Sequence, residues 1–127
     1  MLLSNLLGIM LSKINRLRKK KDFTRVYQRG CFYSSPLLWV KVLPNGLDYS
    51  RAGIVASRKT ARQAVVRNKI KRRLRTLMEV RFPALKPGYD LIIVARPGIF
   101  HSSYQDLAKT LDNLLQKGQL FLLSSSL

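Results

Sequence analysis

Apolar positions along this chain recur with two different periods, and the switches between them lay out the elements. Phe23, Val26 and Tyr27 share one side of a short predicted helix, with Asp22 as its N-cap and Gly30 as its stop. Phe32 and Tyr33 read as a brief strand, broken by Ser34-Ser35-Pro36. Residues 37–43 alternate: Leu38, Val40 and Val42 take one face, Trp39 and Lys41 the other. Pro44-Asn45-Gly46 is a turn, since Pro presets φ and Gly permits positive φ, so residues 52–57 are expected to form the next strand and pair antiparallel with 37–43. The period then becomes helical. Val66, Ile70, Leu74, Leu77 and Met78 fall on one side of a helix over 62–81, which must stop before Pro83. After a Pro87-Gly88 turn, the unbroken apolar run 91–95 predicts a central strand buried on both faces. Ser102 with Gln105, or Ser103 with Asp106, offers a helix-start box. Leu107, Leu111, Leu114 and Leu115 make a last amphipathic helix, stopped by Gly118. The order α-β-β-β-α-β-α predicts an α+β fold, a single-domain sandwich with helices packed on a four-stranded sheet.

Charge changes the picture. The chain has 127 residues, 24 Lys+Arg against 6 Asp+Glu, and a net charge of +18. The cations are concentrated. Residues 13–29 carry eight with one acid, residues 51–81 carry eleven with one acid, and residues 90–127 carry three of each sign. A coat for solubility would be spread evenly and mixed in sign; two basic blocks suit a polyanion, and nucleic acid above all. The densest block is the predicted long helix. Its apolar stripe is buried while Arg67, Asn68, Lys69, Lys71, Arg72, Arg73 and Arg75 take most of the remaining surface. Arginine grips phosphate oxygens with a planar fork, and an asparagine amide adds directional donors and an acceptor; alternatively Asn68 is simply solvated. Arg58 and Lys59, just ahead of the helix, extend the same surface. Phe23, Tyr27 and Trp39 are candidates for stacking on unpaired bases. Phe23 serves equally well as core, while Tyr27 and Trp39 are better placed for an open groove.

Enzymatic chemistry has little foothold. His101 has no second histidine or nearby cysteine for a metal and no orienting partner for proton transfer. Asp22, Asp48, Glu79, Asp90, Asp106 and Asp112 each fit a cap, turn or surface position, and their spacing suggests no two-metal nuclease site. Cys31 is alone, which excludes an internal disulfide and fits a reducing, cytoplasmic compartment. The apolar opening MLLSNLLGIML is too short for a bilayer span of roughly 20 residues. Its charges follow it rather than precede it, against the order of a secretory signal. Residues 1–9 therefore read as an extension, with Met10 a possible alternative start, and no membrane is expected as a partner.

The run Arg67-Asn68-Lys69-Ile70-Lys71-Arg72 resembles the RNR signature of the bacterial ribonuclease P protein component. Three further segments are similar to that family in order: residues 17–27, ending in the F-x-x-V-[FY] helix; Ser57-Arg58-Lys59 followed by Ala64-Val65; and the Y-D-x-[IV]-[IV]-x-A-R strand over 89–96. Lys69 departs from the usual arginine, keeping the charge and losing the fork. The resemblance covers residues 10–118, with 119–127 as a tail. It implies a left-handed βαβ crossover. It also implies a subunit that helps a catalytic RNA, using Mg²⁺ held mainly by the RNA and substrate, to remove the 5′ leader from precursor tRNA. On this resemblance Arg67, Asn68, Lys69, Lys71, Arg72 and Arg75 meet the catalytic RNA, and Phe23 and Tyr27 line the leader groove; Trp39 is added to the groove from its place on the strand, not from the resemblance. The protein itself carries no catalytic residue in this reading. A general RNA-binding protein, a self-sufficient nuclease and, third, a membrane-attached basic protein resting on the N-terminal apolar run are the rival classes.

Overall fold

The computed structural model describes residues 15–122. The extension 1–9 and the serine-rich end of the chain lie outside them. Three helices and four strands follow the predicted order: α1 (Lys20–Arg29), β1 (Cys31–Ser34), β2 (Leu38–Pro44), β3 (Arg51–Val55), α2 (Ala64–Arg81), β4 (Tyr89–Ala95) and α3 (Tyr104–Lys117), with short 3₁₀ turns at Phe82–Ala84 and Ile99–His101.

The strands stand in the order β1-β2-β4-β3. β2 pairs antiparallel with β1 and with β4, while β3 pairs parallel with β4. The expected β2–β3 hairpin is therefore absent: β4 is inserted between them. The Pro44-Asn45-Gly46 turn does form, with Gly46 at φ 74°. Asn45 then ties it to β4 instead of β3. Its N–H donates to the Gly88 carbonyl, and its side-chain amide donates to Asp90 Oδ1 at 2.9 Å. β3, α2 and β4 make the parallel crossover unit.

Strand alternation separates two cores. Leu38, Val40, Val42, Leu91 and Ile93 face α2 and α3, where they meet Ile70, Leu74, Leu77, Met78, Leu107, Leu111, Leu114 and Leu115. Ile92, in the same central strand, faces the other way and packs with Leu17 and Val26 beneath α1. Burial on both faces explains the unbroken apolar run in β4. Past Gly118 the chain stays packed, with Leu120 buried and Phe121 bridged to Leu85.

The ends of the helices follow local chemistry. Ser103 Oγ accepts from the Asp106 N–H and caps α3, the second of the two expected boxes. Asp22 is not the cap of α1. The helix starts earlier, Lys19 is its N-cap without a side-chain bond, and Asp22 lies in its first turn, buried. Arg81 Nε and Nη2 grip Asp112 at 2.6 and 3.1 Å, clasping α2 to α3. The free edge of β3 is partly covered by residues 15–17: Leu17 N–H donates to the Ala52 carbonyl, and Ala52 N–H to that of Asn15.

Candidate nucleic-acid interface

The α2 surface is a fixed array of cations. Ile70, Leu74, Leu77 and Met78 are buried and anchor the helix, so the residues between them are turned outward. Asn68, Lys69 and Arg72 are exposed; Arg67, Lys71 and Arg75 are half-buried. Arg67 does more than project charge. Its Nη1 donates to the Ala61 and Arg62 carbonyls at 3.0 and 2.7 Å, so it braces the loop that carries Arg58 and Lys59. Thr60 Oγ1 pins the same loop to the Ala95 carbonyl at 2.7 Å, at the C-terminal end of the central strand. Arg58, Lys59, Arg62 and Arg67 thus line one open cleft. Arg75 points elsewhere, into a cleft shared with Arg16 and Arg18 between α2 and the edge of β3.

Among the described residues, no carboxylate lies within ion-pair distance of these α2 and loop cations. Asp22, Asp90 and Asp112 are engaged by arginines in other places. Asp22 and Asp90 are both buried, contrary to the expected cap, turn or surface positions. Arg51 clamps Asp90 with Nε and Nη2 at 2.9 and 2.7 Å and reaches Asp22 Oδ2 at 3.3 Å. Arg25 adds a bond to Asp22 at 2.6 Å. The hydrogen bond to Asp90 raises the Arg51 pKa above its ordinary value, against the opposing effect of burial. Each carboxylate is thereby neutralised by arginine, and among the described residues no three His, Cys, Asp or Glu side chains converge as metal ligands. The sequence signal was an acid placed directly against an apolar β-strand, where only a paired carboxylate is tolerated.

Phe23, Tyr27 and Trp39 come together on the opposite face of the sheet. The Phe23 and Tyr27 rings are 6.5 Å apart, Tyr27 and Trp39 meet edge-on at 6.1 Å, and Phe32 continues the row at 5.4 Å from Trp39. Phe32, which the sequence reading left out, is 53% exposed and the most open of the four. Its alternation with Tyr33 was the available signal, because Phe32 pairs with Lys41 and so shares its face. Phe23 is the most structural member. A Cβ on Gly53 would lie 2.4 Å from its ring, so the glycine is what lets the ring sit down. Lys41 Nζ bonds the Tyr27 carbonyl and lies 5.9 Å from the Tyr27 ring centre. Burial raises the Tyr27 phenol pKa. The ring surface runs between α1 and the strands, with Val55 and Val94 half-buried beside it.

A cationic helix on one face, an aromatic trough on the other and a basic loop at the end of the sheet are carried by a fold that known proteins share. The family model described as Ribonuclease P matches residues 11–119. The chain belongs to the ribonuclease P protein family. It is 38% identical to the ribonuclease P protein component of a Cyanothece species, covering 87% of this chain and 97% of that one. It is 37% identical to that of Clostridium botulinum, covering 86% and 98%. A Staphylococcus aureus RNase P protein mutant superposes with TM-score 0.82 at 28% identity, over 91% of this chain and 98% of that one. The Thermotoga maritima RNase P protein gives 0.73 at 30% identity, over 80% and 96%. As a ribonuclease P protein component, the chain is a subunit of the endoribonuclease of tRNA 5′ maturation and partners an RNA subunit. Among the described residues, no helix is long and apolar enough to cross a membrane.

Proposed function

We propose that the two faces divide the work. The α2 cations Arg67, Lys69, Lys71 and Arg72 and the Asn68 amide, with Arg58 and Lys59 in the loop, bind the catalytic RNA. Phe23, Tyr27 and Trp39 hold the single-stranded 5′ leader of precursor tRNA, and Arg75 supports the RNA contact from its side cleft. Catalysis belongs to the RNA, with Mg²⁺ held mainly by RNA and substrate. The protein strengthens substrate and metal binding by supplying positive charge and a stacking surface.

The observation that carries this reading is the uncompensated charge of α2. No carboxylate among the described residues pairs with Arg67, Lys69, Lys71, Arg72 or Arg75, while Asp22, Asp90 and Asp112 are held by Arg25, Arg51 and Arg81, so the field of these cations is available to a phosphate backbone. The aromatic row supports the leader role, since unpaired bases stack on rings with little sequence preference, for roughly 1–3 kcal/mol each.

The test is precursor-tRNA cleavage at low Mg²⁺ with protein alone, cognate catalytic RNA alone, and both. Cleavage at the mature 5′ end should need the RNA and rise strongly with protein. Absence of stimulation refutes the proposal in favour of general RNA binding. Cleavage by pure protein would mean an active site of its own.

A further inference from the structure

The proposed function takes up the cations of α2 and its loop and leaves the first basic block of the chain without a role. Much of that block lies on α1. Asp22, Phe23, Val26 and Tyr27 turn inward, toward the sheet. Lys20, Lys21, Thr24, Arg25, Gln28 and Arg29 are exposed and form one continuous open surface on the opposite side of the helix. Asp22, the acid of this helix, is buried beneath them, held by Arg25 at 2.6 Å and Arg51 at 3.3 Å. Among the described residues, no carboxylate lies within ion-pair distance of Lys20, Lys21 or Arg29.

This arrangement is costly for the helix itself. Lys21, Arg25 and Arg29 stand at i, i+4 and i+8, so like charges are neighbours along one line. Lys20 and Lys21 open the helix, at the end where its dipole favours anions. A face needed only for solubility would mix glutamate among the cations and place acids first. Local rules broken on a surface, with no compensating contact, point to a functional place. The surface also lacks a ring, because Phe23 and Tyr27 face the other way. Unpaired bases need rings to stack on, whereas an RNA duplex is held by its phosphates and its shape. From Lys21 to Arg29 the helix rises about 12 Å, enough to follow successive phosphates of one strand.

We propose that the outer face of α1 is a second RNA-binding surface, which takes the phosphate backbone of an RNA duplex in a molecule other than the catalytic RNA. Lys20, Lys21 and Arg29 supply the charge, and Thr24 and Gln28 supply hydrogen bonds between them. Arg25 stays with Asp22 and ties the loaded face to the sheet. The sheet separates this surface from the α2 cations, because α1 packs on one side of it and α2 on the other. One protein molecule therefore bridges two RNAs, the catalytic RNA on α2 and a helical segment of another on α1. The inference rests on the reading that α2 is occupied by the catalytic RNA.

The experiment uses full-length protein assembled with cognate catalytic RNA, and a blunt, fluorescently labelled RNA duplex of about 16 base pairs as the probe. Binding is read by anisotropy across a salt series, at concentrations where assembly is complete. The duplex should bind the intact complex. Lys20→Gln, Lys21→Gln and Arg29→Gln made together should weaken duplex binding about tenfold or more. The slope of log affinity against log salt should fall by about 2–3, the release expected for three phosphate contacts. Affinity for the catalytic RNA and cleavage of precursor tRNA should not change. Lys20→Glu with Lys21→Glu separates binding from folding, since acids at a helix start stabilise it: this pair should keep or raise Tm and abolish duplex binding. The proposal is overturned if the glutamine variant binds duplex like the wild type, or if the duplex displaces the protein from the catalytic RNA, which would put it on α2. It is overturned as well if the glutamine variant loses affinity for the catalytic RNA in proportion, because the α1 face then belongs to the first interface. If the duplex still depends on the α1 cations while α2 variants leave catalytic-RNA assembly intact, the second surface stands and the reading of α2 falls.

Discussion

Asp90→Asn should be among the most damaging isosteric substitutions in this protein. Asp90 is 1% exposed and accepts three charged or polar bonds, two from Arg51 and one from Asn45. Asparagine keeps the volume, removes the charge and turns one acceptor oxygen into a donor facing Arg51. Breaking a buried ion pair by removing one partner costs about 3–5 kcal/mol. Two features reduce this. The Arg51 side chain is 17% exposed, and it keeps Asp22 within 3.3 Å. We therefore expect a loss of about 2–3 kcal/mol. For a domain of this size that lowers Tm by roughly 6–15 °C. Urea unfolding followed by circular dichroism measures it, with an unchanged m-value showing that the denatured state is the same. The double variant Arg51→Met/Asp90→Leu gives the decisive comparison, since a hydrophobic replacement of both partners should cost much less than the single change. A loss below about 1 kcal/mol for Asp90→Asn would refute the view that this clamp holds α1 and the sheet together.

Gly53→Ala should push the Phe23 ring back by about 1 Å and cost about 1–3 kcal/mol, with Phe23→Leu relieving part of it; additive losses in a double-mutant cycle would show that the two do not meet. Arg67→Ala should weaken assembly with the catalytic RNA far more than Lys117→Ala, because it removes a cation and also frees the loop of Arg58 and Lys59; equal losses in a filter-binding titration would mean that bulk charge carries the function. Tyr27 should ionise above pH 10.0 in the folded protein, as burial disfavours its phenolate. Its raised pKa makes a contribution to stability that is complete below the unfolded value and is lost as pH rises through the folded one. The wild-type minus Tyr27→Phe ultraviolet titration should show a midpoint above 10.0, and a midpoint at or below it contradicts the burial argument.

Much of this was legible along the chain because it is governed by local periodicity. The alternation of Leu38, Trp39, Val40 and Lys41 places the residues on their correct faces, and the spacing of Ile70, Leu74, Leu77 and Met78 orients α2. The run at 91–95 foretells a strand covered on both sides. Strand order was not legible. A turn at Pro44-Asn45-Gly46 looks the same whether the next strand folds back beside β2 or leaves a gap for a strand that comes much later. The difference lies in the Asn45 side chain reaching Asp90, a contact between positions 45 residues apart. Asp22 was misread for a related reason. Acid near a helix start usually caps it, and only the arrival of Arg51 from β3 makes an inward-facing carboxylate tolerable. The RNA-binding cations were legible as charge, while the brace made by Arg67 was not, because it depends on where the preceding loop is pinned.

The position of β4 has a consequence for how the protein is born. The strand that touches both β2 and β3 is the last of the four in the chain. When the ribosome has made everything through α2, β2 and β3 have no strand between them and the second core lacks Ile92. The sheet can close only after residue 95 has emerged, a non-local step that slows folding. Throughout that interval the nascent chain displays its basic helix segment without a finished fold behind it. Synthesis beside abundant RNA therefore sets closure of the sheet in competition with premature capture by polyanions, and rapid insertion of one apolar strand decides the outcome.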